Sequence, residues 1–431
     1  MRHVSIFLFL AAVLIARPAW SSDNDLKPLA DALAHVRSAQ SVNRVRDAGP
    51  ELTPVKQTLR AWLENQLPIE PSPTGPDQPV YLPNPSELAA LSERLNRDLN
   101  GERLTCGDVA SAASRCASGS PGQDDARGYV GEVHVSSLDD GRYLLAVTAV
   151  GVRCGFDESA YIYRRGPDRK WSLLLQSEQD RYGEDEYAPQ NFLSISVSPS
   201  DVPWNEPAPP PLVLTLGYSP WCSSNWQSLS TRLWRASTST PTPGPLIDKK
   251  DTLYIGDDQI ASARLTQKDL VIQYRGQSID GATLIRSHVE HYLIGEGDKV
   301  ERIAPVALNP NDFVEEWLTS DWPEAERWID ASGDKSALAK LHSASPKELG
   351  EFDGPPTRCR SDPTLWQVSF AASEGRKQYR LSPSTHFLVR WIAPYRFSLI
   401  RAQQRSFQGC NVPAAMPDDL GTLFPIQGWR P

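Results

Sequence analysis

The sequence predicts a mainly β protein with helical flanks, an α+β chain built around a propeller-like array of four-stranded units. Three observations carry this reading. The apolar spacing switches from helical to strand-like near Gly128 and stays so to about Leu308. Within that stretch, short strands come in sets of four, and the second strand of each set is strongly apolar. A shift of 68 residues carries Cys154 onto Cys222 and also carries 144–148 onto 212–216 without a gap. Repeated sheets of this kind bury their faces on one another, stacked or around an axis. An antiparallel β-sandwich of about a dozen strands is the alternative, because its short strands and turns leave the same pattern.

The chain opens with Arg2 and His3, then an apolar run over 4–16, then Pro18 and the small residues Ala19 and Ser21. That is the layout of a cleavable signal peptide, residues 1–21, with cleavage after Ser21. The run is too short to span a membrane, and no later segment approaches the ~18 apolar residues a span requires. The expectation is a soluble periplasmic or secreted protein with no membrane span after cleavage.

Residues 22–125 form a helical region. Leu26, Leu29, Leu33 and Val36 make one stripe, stopping at Gly49-Pro50, and Val55, Leu59, Trp62, Leu63 and Leu67 make a second. A proline-rich linker covers 68–83. Asn84, Pro85 and Glu87 then supply a cap, a first-turn proline and a capping-box partner for a third helix striped by Leu88, Leu91, Leu95 and Leu99 and ended by Gly101. These stripes read as core packing.

The repeated β region spans 126–310, in units of about 126–190, 191–257 and 258–310. The first set of strands is placed at 130–136, 142–150, 159–164 and 170–176, and the second at 192–198, 211–218, 227–234 and 251–255. The third falls at 260–266, 269–274, 287–294 and 300–307. Asp139-Asp140-Gly141 and Gly256-Asp257-Asp258 suit hairpin turns. In 311–431, short helices around Trp317, Trp328 and Leu338 precede strands at 365–371, 377–381 and 386–403, a candidate fourth unit.

The net charge of −9 excludes a general nucleic-acid binder, which needs a basic surface. Six cysteines, Cys106, Cys116, Cys154, Cys222, Cys359 and Cys410, fit three disulfides in an exported chain. Neighbour pairing gives 106 with 116, 154 with 222 and 359 with 410, so export and the staple between units should stand or fall together. No C-x-x-C stands among them and none lies beside a histidine, so no metal site is predicted. No cofactor signature is present.

Catalytic signatures are sparse. Ser219 lacks the second glycine of a nucleophile elbow and Ser332 with Lys335 reads as a turn. His288 and His291 fall on a strand, where their spacing sends them to opposite faces. The acids of 178–186 read as a solvated loop, although together with Asp157 and Glu158 they could serve a hydrolase. The most suggestive residues are loop aromatics: Trp221 and Trp226 flanking Cys222, Trp204 in a proline-rich insert, and Phe156 in the matching loop of the first unit. Flat aromatic faces bury large areas at small entropic cost, so these four are the candidate ligand-binding residues, for a glycan or an envelope protein. The sequence thus predicts an exported non-enzymatic binding protein of the envelope or medium. A secreted hydrolase acting on glycans and a structural component of an envelope assembly are the alternatives.

Overall fold

A computed structural model describes residues 26–40, 49–67, 84–105, 128–139, 141–152, 155–165, 170–179, 190–200, 202, 209–219, 224–237, 239, 243–256, 261–344, 349–373, 381–393 and 395–413. The expected signal peptide (1–21), the expected linker (68–83), Cys106, Cys116, Cys154 and Cys222 lie outside these residues.

Three helices come first, α1 (Lys27–Gln40), α2 (Gly49–Gln66) and α3 (Pro85–Gly101). Gly49-Pro50 opens α2 instead of closing α1. Proline fits a first helical turn, where its missing N–H leaves no bond unmade. At α3 the expected capping box forms: the Asn84 side chain accepts from Glu87 N at 2.9 Å and Glu87 Oε2 accepts from Asn84 N at 3.3 Å.

Three four-stranded antiparallel sheets follow, each a meander in chain order. The first holds β1 (His134–Leu138), β2 (Tyr143–Val152), β3 (Gly155–Arg165) and β4 (Trp171–Ser177). The second holds β5 (Asn191–Val197), β6 (Leu212–Ser219), β7 (Trp226–Arg235) and β8 (Ile247–Tyr254). The third holds β9 (Ala261–Leu265), β10 (Asp269–Gln277), β11 (Ile285–Ile294) and β12 (Val300–Ile303). The strands match the sequence expectation to within a few residues at most ends. β8 starts earlier and β12 stops sooner. The β1–β2 turn places Asp139 and Gly141 at positive φ, a conformation that Asp tolerates and Gly adopts freely.

The first and second sheets pack both faces, and strand alternation sorts their side chains between two cores. On β2, Leu144, Ala146 and Val150 meet the stripes of α1, α2 and α3, whereas Tyr143, Leu145 and Val147 meet Phe192, Ile195, Val213 and Trp234 of the second sheet. All ten β2 residues are therefore buried. The second sheet's other face, Leu212, Leu214, Leu216, Leu229 and Leu233, packs on Leu265, Leu270, Ile272 and Tyr274 of the third. Each such wholly buried leucine contributes about 2 kcal/mol of transfer free energy. The free edge of β1 is closed by a helix: Ser92 Oγ accepts from Val135 N at 2.9 Å, and Asn96 accepts from Val133 N at 2.8 Å while donating to Val133 O at 2.9 Å.

Next come α4 (Pro310–Thr319), the single turn α5 (Trp322–Ala325) and α6 (Lys335–Ala344). The last sheet contains β13 (Gly350–Phe352), β14 (Thr357–Arg358), β15 (Leu365–Ala372), β16 (Thr385–Ala393), β17 (Arg396–Gln403) and β18 (Val412–Pro413). It is six-stranded, ordered β17-β16-β15-β14-β18 with β13 also on β15, and so differs from the three meanders. The expected strand at 377–381 falls mostly outside the described residues. Only Leu381 is described there, in an isolated bridge to Ser373. Trp317, Phe313 and Leu338 of the helices pack on Trp366, Val368, Phe387 and Leu399 of this sheet. The expected Cys359–Cys410 disulfide forms, tying β14 to the segment before β18.

Candidate functional site

The ends of neighbouring sheets meet in register. Glu158 N, at the start of β3, donates to Gln190 O beside β5 at 2.7 Å, and Phe192 N donates to Glu158 Oε2 at 2.6 Å. A Cβ on Gly276, near the end of β10, would lie 2.7 Å from Thr252 O near the end of β8, so only glycine fits this close approach. The described ends of β2, β6 and β10 and the starts of β3, β7 and β11 consequently lie on one side. Two of the four candidate aromatics are described on this rim. Trp226 packs edge-on against its register partner Tyr254, ring centroids 5.1 Å apart, and both are half-buried. Phe156 lies over the Gly131 backbone. Trp204 and Trp221 lie outside the described residues.

The two candidate acids on β3 part company, because consecutive strand residues face opposite ways. Asp157 is wholly buried, 2.7 Å from the equally buried Lys56 Nζ of α2, and its other oxygen accepts from Gln190 N at 3.1 Å. Lys56 also donates to Gln179 O at 3.0 Å. A buried pair with its remaining bonding capacity met holds α2 to the first sheet, and removing either partner would strand the other charge. Among the described residues no such cation is paired with Glu158. Burial pushes its carboxyl up to about 7, overcoming the stabilising Phe192 N–H, with the nearby Asp157 charge adding to the rise. Of the acidic loop, Glu178 accepts from Tyr161 OH at 2.6 Å and lies 3.8 Å from Arg60 Nη1.

A second polar cluster, missed by sequence reasoning, joins the second and third sheets to α4. Glu290 accepts from Tyr292 OH at 2.8 Å, from Tyr274 OH at 3.2 Å and from Lys249, which also lies 3.0 Å from Asp251. Burial presses the Lys249 ammonium down, and the Glu290 and Asp251 carboxylates outweigh it, leaving the pKa raised. Glu316 takes Arg286 and Arg302, both at 2.6 Å, which drive its carboxyl down against the opposing effect of burial. His288 stacks on Tyr274 and bonds Gln277 O at 3.0 Å; burial first, then Arg286, pushes its pKa down to about 3. His291 faces the other way, toward Ala304 O and Asp269, as the strand placement requires. These groups are consumed in joining layers.

Among the remaining nucleophile candidates, Ser332 bonds Asp330 in a turn, as expected. His386, which has no acidic or cysteine partner nearby in sequence, bonds Ser369 at 2.7 Å across β15 and β16. Their spacing in sequence carries no signal; only strand pairing brings them together. Among the described residues no group of three or more His, Cys, Asp or Glu is arranged to hold a metal ion, and no helix is long and apolar enough to cross a membrane.

Two cavities lined by described residues lie elsewhere. A cavity of about 310 Å³ lies between α6 and the end of β17, with Ala337, Leu338 and Leu341 on one wall and Ile400, Arg401 and Ala402 on the other. A second cavity of about 190 Å³ adjoins it, sharing Leu341, Thr385 and Gln404 and lined further by Leu318, Phe370 and Phe387. The amides are held in place: Gln404 donates to Thr385 Oγ1 at 3.2 Å and Gln403 to Arg405 O at 2.7 Å. Together these make a ligand-sized groove with apolar walls and a few oriented polar groups.

No family model matches the sequence, and no curated protein matches it. Among solved structures, one described as "Glycoside hydrolase" is similar, at 9% identity over 66% of this chain and 76% of that chain, with a TM-score of 0.22. A likeness at that level carries no argument about fold or function.

Proposed function

We propose that this chain is an exported, non-enzymatic binding protein of the cell envelope or medium, its sheets set in a propeller-like array. The observation that carries the binding reading is the groove on either side of Leu341, whose volume and mixed lining suit a small organic ligand. The disulfide between Cys359 and Cys410 supports an oxidising compartment. The rim holding Trp226 and Phe156 is a second binding surface in this reading, suited to a glycan or an envelope protein, with Trp204 and Trp221 as further candidate contacts from the sequence.

The rival reading, a secreted hydrolase acting on glycans, draws on one feature. A glutamic acid titrating near 7, as burial makes Glu158 do, suits a general acid. One experiment separates the two. The full chain is screened by thermal shift against sugars, amino acids and small organic acids, and by turnover against glycosidase, esterase and peptidase substrates. The binding reading expects stabilisation by at least one ligand, lost on Ala337→Phe, with no turnover. Turnover abolished by Glu158→Gln would overturn it in favour of the hydrolase.

A further inference from the structure

Strand register decides which side chains face the groove. On β17, Ala402 pairs with Phe387, and both lie on the face that packs on the helices, whereas Arg401 pairs with Leu388 and Gln403 with His386 on the opposite face. The Arg401 and Gln403 side chains therefore turn away, and these residues border the larger cavity through their backbone. Thr385 pairs with Phe370, so it shares the helix-covered face. The acid on the lining, Asp334, is exposed and engaged by its own helix, its Oδ1 accepting from Ala337 N at 3.0 Å. The side chains turned inward are uncharged: Leu338, Leu341 and Ala402 along the larger cavity, with Thr385 and Gln404 where it adjoins the smaller one. An ionised ligand buried here meets no opposite charge and loses its hydration without compensation. Gln404 Nε2 donates to Thr385 Oγ1 at 3.2 Å, which leaves the Thr385 hydroxyl proton to donate and Gln404 Oε1 to accept.

We propose that the groove binds a small uncharged amphiphile, an alcohol with its hydroxyl on Thr385 and Gln404 and its aliphatic body against Leu338, Leu341 and Ala402. The proposal rests on the binding reading above and names its ligand class. A hydroxyl both accepts and donates, as that pair of side chains requires, whereas a carboxylate only accepts and an ammonium only donates. At about 310 Å³ the larger cavity lies at the low end of small-molecule pockets, roughly 300–1,000 Å³, so the body is short.

Calorimetric titration of the full chain at pH 7 with 1-hexanol, hexanoate and hexylamine tests it, the three sharing one apolar body. Hexanol is expected to bind at least tenfold more tightly than either ion. Thr385→Val, which keeps the side chain's shape and removes its hydroxyl, should weaken hexanol at least fivefold. Ala337→Phe, at an exposed position of α6 lining the larger cavity, should abolish binding. Equal affinities for the three, or an ion binding more tightly, all lost in Ala337→Phe, would overturn the uncharged class while leaving the groove a binding site. Hexanol binding unchanged in Thr385→Val would overturn the placement of its hydroxyl, and binding unchanged in Ala337→Phe would put the ligand elsewhere and overturn the proposal. Failure of all three probes would also overturn it, and the ligand screen then decides the binding reading separately.

Discussion

Glu158 shows how burial sets the behaviour of a single residue. Its ordinary value of 4.5 is raised to about 7, so between those limits the folded chain holds a proton that the unfolded chain has released. Stability then falls as pH rises, because the native state binds more protons. Its contribution is fully present below about 4.5 and is lost by about 7, an effect on the order of 3 kcal/mol. Glu158→Gln cannot ionise and should flatten that part of the profile, so the gap between variant and parent in urea midpoint should widen from pH 4.5 to pH 7. Parallel profiles would mean the carboxyl is solvated. Asp157, one residue away, was legible only as an acid. Its partner Lys56 sits on a helix far back in the chain, and no local pattern encodes that meeting. The same holds for Arg286 and Arg302 converging on Glu316, and for Ser369 meeting His386.

At the scale of elements, α3 does two jobs. Its leucine stripe packs into the core, while Ser92 and Asn96, one turn apart, take the place of a neighbouring strand along β1. Edge strands left open invite pairing with other chains, so this side-chain edging protects the first sheet. Asn96→Ala leaves Val133 N and O unpaired in a part-buried site and should cost about 1–3 kcal/mol, read as a lower urea midpoint with unchanged slope. Asn96→Asp keeps an acceptor for Val133 N but sets a carboxylate oxygen against the carbonyls of Val133 and Ser92, and should cost at least as much. Elements of this kind were the legible part of the sequence. The period-two runs gave the twelve strands of the first three sheets, and Asn84, Pro85 and Glu87 gave the start of α3. Gly49-Pro50 misled because glycine and proline end one helix as readily as they open the next. The last sheet was legible only in part, because β13, β14 and β18 are two or three residues long and too short to show a period.

At the scale of the molecule, the cores come in series: helices on the first sheet, first on second, second on third, and the later helices on the last sheet. The groove beside Leu341 belongs to this scale, since its walls come from α6 and from β17 with the residues after it, which only the packing of the last sheet sets side by side. The series also decides what the first three helices are for. If they are a docking surface for a partner, the β region should fold without them. The packing argues otherwise, since removing residues 22–101 would uncover Leu144, Ala146, Val150, Tyr161 and Tyr163, strip Ser92 and Asn96 from the β1 edge, and leave Asp157 buried without Lys56. Apolar exposure, an open edge and an unpaired buried charge act together on one sheet, and the last alone costs about 3–5 kcal/mol. The truncated chain should bind a hydrophobic dye strongly and elute as aggregates, while the full chain elutes as one discrete species. A truncated protein that stays discrete, with a cooperative melt near that of the full chain, would make the helices a separable appendage and return them to candidacy as a partner surface.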